Sequence, residues 1–86
     1  MDPYKILRYP HMTEKSISIV EKENKLVFIV DRKYKKEDIK KAFEDVFKVK
    51  VDRINTMVTR DGKKKAFIKL KKEYSAADVA VKLGMI

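Results

Sequence analysis

Residues 51–70 read V-D-R-I-N-T-M-V-T-R-D-G-K-K-K-A-F-I-K-L, and this stretch decides the fold. Polar and apolar residues alternate on both sides of the Asp-Gly pair at 61–62, which predicts a β-hairpin. A two-residue turn would place the two apolar sets on opposite faces of the hairpin. A three-residue loop over 60–62, with its glycine in the left-handed position of a bulge turn, instead aligns Ile54 with Ile68. We predict the three-residue loop, because a slip of one residue would turn lysines into the core.

The face of the hairpin opposite its apolar set is cationic. In the predicted register Arg53 lies opposite Lys69, and Met57 lies opposite Lys65. Phe67, between these pairs, could stack on a nucleobase or pack diagonally on Met57, and the sequence leaves both interpretations open. The residues predicted to bind nucleic acid are Arg53, Asn55, Thr56, Lys63, Lys64, Lys65, Phe67 and Lys69.

The positive charge of the chain is concentrated in the same segment. Residues 48–72 hold ten Lys or Arg and two acidic residues, which gives +8 of the net +9 of the whole chain. Strand alternation would distribute the three consecutive lysines at 63–65 over both faces and the tip of the hairpin. Lysines also protect a sheet edge from aggregation, but that needs only one or two of them. The excess favours a phosphate backbone as the partner.

The other elements follow from capping residues and hydrophobic periodicity. They are an extended segment over 4–7 closed by Pro10, a helix over 14–22 capped by Thr13, a strand over 25–30, a helix over 36–48, and a helix from the N-cap Ser75 to Gly84. The strand over 25–30 is apolar on both sides, which is typical of a strand near the middle of a sheet. The order is β-α-β-α-β-β-α, an α+β sandwich with a mainly antiparallel four-stranded sheet.

The core is predicted from the apolar stripe of the helix over 36–48, whose apolar residues recur at helical spacing. We expect the core to join Ile39, Phe43, Val46 and Phe47 of this helix to Phe28, Val30, Ile54, Ile68 and Leu70 of the sheet. The start of the helix is poorly capped, because Lys35 and Lys36 stand where Ser, Thr or Asp is preferred. In the last helix Val81, Met85 and Ile86 are left outside the buried stripe, and they either fold back or meet a neighbouring protein.

Composition excludes several classes of function. The chain has no cysteine, which excludes disulfides and thiolate metal sites and fits the cytosol. His11 is its only histidine and its two glycines cannot form a phosphate loop, so we expect no enzyme, no cofactor and no metal site. No apolar run approaches the roughly 20 residues of a membrane span, and no apolar signal sequence opens the chain. We expect one domain over residues 1–86, without membrane insertion.

Three segments together resemble the universal ribosomal protein L23 family of the large subunit. Residues 10–15, P-H-M-T-E-K, are similar to the family's Pro-x-x-Ser/Thr-Glu-Lys segment, and residues 49–56, V-K-V-D-R-I-N-T, are similar to a stretch that ends in Val-Asn-Thr. Residues 64–71, K-K-A-F-I-K-L-K, fit its pattern of two basic residues, Ala, two strand residues, a basic residue, Leu and a polar residue. Each motif is short, but the ordered set covers essentially the whole chain.

The resemblance implies a partner and a place. It implies binding to large-subunit rRNA beside the polypeptide exit tunnel, contact with ribosomal protein L29, and a cytoplasmic, ribosomal location. It also implies a platform for factors that meet the nascent chain, such as the signal recognition particle, chaperones or the protein-conducting channel. Bacterial members have a long hairpin loop that enters the tunnel, whereas only residues 60–62 join the strands here, so the chain is similar to archaeal members.

Glu14 is a candidate for factor docking. The helix that it begins carries more acidic than basic residues, which suits a basic protein better than phosphate. In bacterial relatives the motif glutamate faces the factors at the tunnel exit, which supports the same role by resemblance. The alternative is that Glu14 only stabilises its helix through the dipole, worth about 0.3–1 kcal/mol.

Two other classes of function fit the same residues. A free-standing RNA-binding module would use the same hairpin, and a protein-interaction domain would use its lysines for solubility alone. Phosphate contacts make affinity fall steeply with salt, which separates the protein-interaction domain from the other two. Sedimentation with ribosomal subunits separates a ribosomal protein from a free-standing module.

Overall fold

The computed structural model describes residues 3–84 and has an α+β architecture that confirms the predicted fold class. Its elements are α1 (Pro3–Ile6), β1 (Leu7–Pro10), α2 (Glu14–Glu23), β2 (Lys25–Val30), α3 (Lys36–Phe47), β3 (Val51–Val58), β4 (Lys64–Leu70) and α4 (Ala76–Lys82). The four strands form one sheet in the order β1-β2-β4-β3, with every neighbouring pair antiparallel. The apolar strand β2 is central, as predicted.

The predicted register of the hairpin is confirmed. Ile54 pairs with Ile68 and Asn55 with Phe67. At the tip, the Thr59 N–H donates to the Lys63 carbonyl over 2.8 Å, which leaves residues 60–62 as the loop. Gly62 closes it with φ +82°, in the left-handed region that glycine adopts without strain. The short loop and its bulge therefore set which residues of the two strands share a face.

One face of the sheet carries the core. Phe43 of α3 is fully buried between the rings of Phe28 and Phe47, whose centroids lie 5.6 Å and 4.6 Å from its own. Every residue predicted for the core is buried there or packed against it; Val46 and Phe47 are partly buried. Val58, at the end of β3, is 53% exposed although its strand position points to this face. The core therefore ends before the hairpin tip.

The prediction for the N-terminus was wrong. Residues 3–6 form the short helix α1, and the strand begins only at Leu7, which pairs with Val30. Proline suits the first turn of a helix, because it needs no N–H donor there. Ile6 is fully buried and α1 packs against α3, so tertiary burial decides the conformation of a segment too short to fold alone. Strand β1 therefore extends through Tyr9 to Pro10.

The caps of the helices agree with the sequence. The Thr13 hydroxyl accepts the Ser16 N–H at the start of α2. Lys35 makes no side-chain cap on α3, as predicted, but the Asp38 carboxylate accepts the Lys35 N–H over 3.2 Å. Half of a capping box therefore supports this helix from inside its first turn. At α4 the Ser75 hydroxyl accepts the Asp78 N–H over 3.3 Å, as expected of an N-cap.

Asn24 joins three elements, and this role was not predicted from the sequence. It ends α2 in the left-handed conformation, with φ 55°. Its amide donates to the carbonyls of Leu70 (3.3 Å) and Tyr74 (2.9 Å), and its carbonyl oxygen accepts the Ala76 N–H (2.7 Å). One side chain therefore ties the end of α2 to the end of β4 and to the start of α4.

Candidate nucleic-acid interface

The structure brings six of the eight predicted site residues onto the sheet face opposite the core. In the paired strands Arg53 lies beside Lys69, and Asn55 lies beside Phe67. Lys65 follows on β4, and Lys63 continues the same alternation at the loop. We call this surface the cationic face, and its residues are Arg53, Asn55, Lys63, Lys65, Phe67 and Lys69.

Thr56 and Lys64 do not lie on the cationic face. Thr56 pairs with Ala66 and is half-buried on the side of the core. The Lys64 ammonium donates to the Tyr34 carbonyl over 2.8 Å, on the same side. Strand alternation separates Lys64 from its neighbours Lys63 and Lys65. Both side chains therefore lie on the core side of the hairpin.

Strands β1 and β2 extend the cationic face, and sequence reasoning missed this. Tyr9 pairs with Ile29, which in turn pairs with Lys65. The His11 N–H donates to the Val27 carbonyl over 2.8 Å just beyond the end of β1. Tyr9 was overlooked because the strand was placed three residues too early, and Pro10 obscured it further. Proline is tolerated in an edge strand, so the sequence Tyr-Pro-His at 9–11 could have been interpreted as part of an edge strand.

A small cavity lies beside Lys65 and Phe67 of this surface. Its volume is about 230 Å³, and it lies between the sheet and α2. We call it the face cavity; it is lined by His11, Ile19, Val27, Met57, Lys65 and Phe67, with Lys15, Thr13 and Ser16 at its α2 side. One side of α2 therefore borders this surface, although the helix carries more acidic than basic residues. Phe67 is half-buried and Met57 is 49% exposed, so both retain surface that a ligand can contact.

The charges of the face are mostly free to meet an external anion. The Lys63 ammonium lies 6.0 Å from the centre of the Tyr9 ring and 3.9 Å from the Asp61 carboxylate. The interaction with the Tyr9 side chain, followed by the negative charge of Asp61, raises the pKa of Lys63. Arg53 approaches only its neighbour Asp52, at 4.0 Å. Both ion pairs are exposed, and such pairs contribute about 0–1 kcal/mol. The acidic residues of the hairpin therefore neutralise little of its charge.

The position of His11 favours its neutral form. Burial, followed by the positive charges of Lys65 and Lys63, lowers its pKa from 6.5. Its Nδ1 is buried and has no hydrogen-bond partner among residues 3–84. Most buried side-chain nitrogens in folded proteins have a partner, so this nitrogen is an exception among the described residues.

Further basic residues continue the surface around the hairpin tip. Arg8, Arg32 and Lys63 line one depression beside Gly62. A Cβ at Gly62 would lie 3.4 Å from the Arg32 guanidinium, an ordinary van der Waals contact, so the need for glycine comes from its positive φ. Arg8 is 3.8 Å from the Asp31 carboxylate and its side chain is mostly exposed. Neither arginine was predicted from the sequence, because both lie outside the basic segment.

Glu14 lies between Thr13 and Lys15, which both line the face cavity. It is exposed in the first turn of α2, which is compatible with either docking or capping. Val81 on α4 is 61% exposed, whereas Met85 and Ile86 lie outside the described residues. Within residues 3–84 no helix has the length and apolar character that crossing a bilayer requires.

Comparisons with known proteins give one consistent result. Residues 5–84 match the family model described as Ribosomal protein L23. The chain is 54% identical over 85 residues to the large ribosomal subunit protein uL23 of Methanothermobacter thermautotrophicus, with 99% of each chain covered. It is 47% identical to the uL23 proteins of Methanococcus aeolicus and Methanococcus vannielii, again over 85 residues and 99% of each chain.

Proposed function

Because the chain belongs to the ribosomal protein L23 family, in its archaeal form, we propose that it is a structural constituent of the large ribosomal subunit that binds large-subunit rRNA through the cationic face. The observation that carries the rRNA contact is the division of the sheet into two faces. One face is filled by the core, and the other carries Arg53, Lys65 and Lys69, with Lys63 at the loop. The role is structural and not catalytic, and residues 1–86 act as a single rRNA-binding domain in the cytoplasmic ribosome.

The electrostatics of the face suit a phosphate backbone. Arg53, Lys63, Lys65 and Lys69 lie on two neighbouring strands and their loop, and strands in a sheet are about 4.8 Å apart. Cations on the same side of one strand lie two residues, or about 6.7 Å, apart, so the four together can meet several phosphates and release their counterions. Asn55 adds a side-chain amide that can donate and accept hydrogen bonds at a base edge or a ribose hydroxyl.

The family supports a more specific location. We propose contact with ribosomal protein L29 and a position beside the polypeptide exit tunnel. The hairpin tip is closed by residues 60–62, so on this proposal no long loop from the hairpin enters the tunnel. Glu14, exposed at the start of α2, is proposed to dock factors such as the signal recognition particle, chaperones or the protein-conducting channel.

Sedimentation tests the ribosomal assignment. Tagged chain in an archaeal cell extract should sediment with the large subunit and stay there at moderate salt. Recovery only in light fractions, bound to other RNA, would favour a free-standing RNA-binding module. Recovery with proteins alone, unaffected by salt, would favour a protein-interaction domain.

Charge reversal tests the face itself. Lys65→Glu with Lys69→Glu should abolish binding to a large-subunit rRNA fragment and leave the thermal midpoint within a few degrees, because substitutions outside the core typically cost about 0.5 kcal/mol or less. The matched control is Lys40→Glu with Lys41→Glu, which changes the net charge equally on the exposed side of α3. Binding by the face variant at moderate salt, or equal loss in the control, would show that the assignment of the face is wrong.

A further inference from the structure

The face cavity combines an apolar interior with a cationic rim. Val27 and Phe67 from adjacent central strands lie beside Met57 and Ile19, while Lys15 and Lys65 stand on two sides. Sites for drug-sized ligands usually measure roughly 300–1,000 Å³, and this cavity of about 230 Å³ suits a smaller group, such as a single planar ring system.

His11 supplies a second observation that points to a ligand. Its side chain lines the cavity, and its Nδ1 is the buried side-chain nitrogen without a hydrogen-bond partner among residues 3–84. The lowered pKa favours the neutral imidazole, in which one ring nitrogen donates and the other accepts. The outer torsion of histidine is broad, so the ring can turn to present this nitrogen to a group in the cavity.

We propose that the face cavity binds one unstacked nucleobase of the rRNA held by the cationic face, an inference that rests on the proposed function. The base lies against the Phe67 ring with Met57 and Ile19 at its edges, and its polar edge meets His11. The flanking phosphates meet Lys15 and Lys65 on the rim.

The chemistry of the rim favours RNA over a protein side chain as the occupant. Sequence-specific RNA recognition mostly places splayed-out bases on aromatic side chains, because side chains cannot read the deep, narrow major groove of an A-form helix. An apolar side chain from a neighbouring protein would leave His11 unpaired and would gain nothing from Lys15 and Lys65. The cavity therefore complements a base with its phosphates better than an apolar anchor.

The test compares Phe67→Leu with Tyr74→Leu. The first removes the aromatic ring from the cavity but keeps an apolar side chain, and the second removes a half-buried aromatic ring elsewhere. Met57→Ala is a further cavity variant, and at 49% exposure its truncation leaves the fold intact. Affinity for protein-free large-subunit rRNA is measured over a series of salt concentrations, and ultraviolet cross-links to the wild-type chain are mapped to residues.

We expect Phe67→Leu to weaken binding roughly 5- to 150-fold, which is about 1–3 kcal/mol per stacked base at 1.4 kcal/mol per tenfold. The loss should be the same at every salt concentration, because no phosphate contact is removed. Cross-links should fall on Phe67, Met57 or His11, and Tyr74→Leu should bind like the wild type.

The failures of the two proposals are distinguishable. If the wild-type chain does not bind this rRNA, the proposed function fails. If the wild type binds with a steep salt dependence but Phe67→Leu and Met57→Ala bind equally well and no cross-link reaches the cavity, the base site is refuted and the proposed function stands. If those variants bind rRNA normally but no longer assemble with other large-subunit proteins, the occupant is a protein side chain and the base site is again refuted.

Discussion

Truncation of Phe43 to alanine tests which side of the sheet the helices cover. Phe43 is fully buried, and its ring meets Phe28 edge to face at 5.6 Å and Phe47 at 4.6 Å. Burial of this ring gives α3 its orientation and fixes that sheet face as the core side. The opposite face is thereby left for the cations of the hairpin.

The expected cost of Phe43→Ala is about 3–5 kcal/mol, as for other buried phenylalanines. The two aromatic contacts, each worth about 0.5–1.5 kcal/mol beyond area burial, favour the upper part of that range. At about 0.05–0.15 kcal/mol per residue, a chain of 86 residues has a total stability of roughly 4–13 kcal/mol. The variant should therefore lose between about a quarter and all of its stability, with a thermal midpoint lowered by about 12–40 °C.

Urea unfolding followed by circular dichroism measures this cost. The matched control is Phe67→Ala, which removes the same side chain from the half-buried opposite face and should cost less than half as much. A cost for Phe43→Ala below about 1 kcal/mol, or one equal to that of Phe67→Ala, would refute the assignment of α3 to the core side.

Three further predictions follow from single side chains. Asn24→Ala should cost about 2–4 kcal/mol in urea unfolding, because it removes three hydrogen bonds and leaves alanine with φ 55°, whereas Asn24→Asp keeps the acceptor and should cost less. The folded-state pKa of His11 lies below the unfolded value of 6.5, so its contribution to stability is present above pH 6.5 and is lost as pH falls below that value. His11→Gln should therefore make the free energy of unfolding in urea depend less on pH in that range. An unchanged pH dependence would contradict the burial of His11. Glu14→Ala in assembled ribosomes should leave assembly normal and weaken targeting-factor affinity, whereas unchanged affinity would leave Glu14 as a helix-stabilising residue only.

The hairpin could be predicted because its local signals agree. A period of two over residues 54–58 and 64–70 and a glycine suited to a left-handed loop position allow one register that keeps lysines out of the core. The same alternation predicted which residues share the cationic face. Lys64 was nevertheless included in the site by its charge, although alternation turns it towards Tyr34.

The remaining features depend on contacts between segments far apart in the chain. Helix α1 is a single turn that holds Ile6 in the core, and so short a helix has no stability of its own. Asn24 bonds to partners 46–52 residues away, which no local pattern records. The face cavity likewise needs α2 to lie against the sheet beside Phe67, so His11 could not be recognised as part of it.

The salt dependence of rRNA binding tests the central claim most directly. Affinity for protein-free large-subunit rRNA is measured against salt concentration for the wild type, for Lys65→Ala with Lys69→Ala, and for Lys40→Ala with Lys41→Ala. Each phosphate contact contributes about 0.7–0.9 to the slope of log affinity against log salt. We predict that the face variant loses about 1.4–1.8 of that slope and that the α3 variant keeps the wild-type slope. Equal slopes for all three proteins, or an equal loss in both variants, would contradict the assignment of the cationic face to the phosphate backbone.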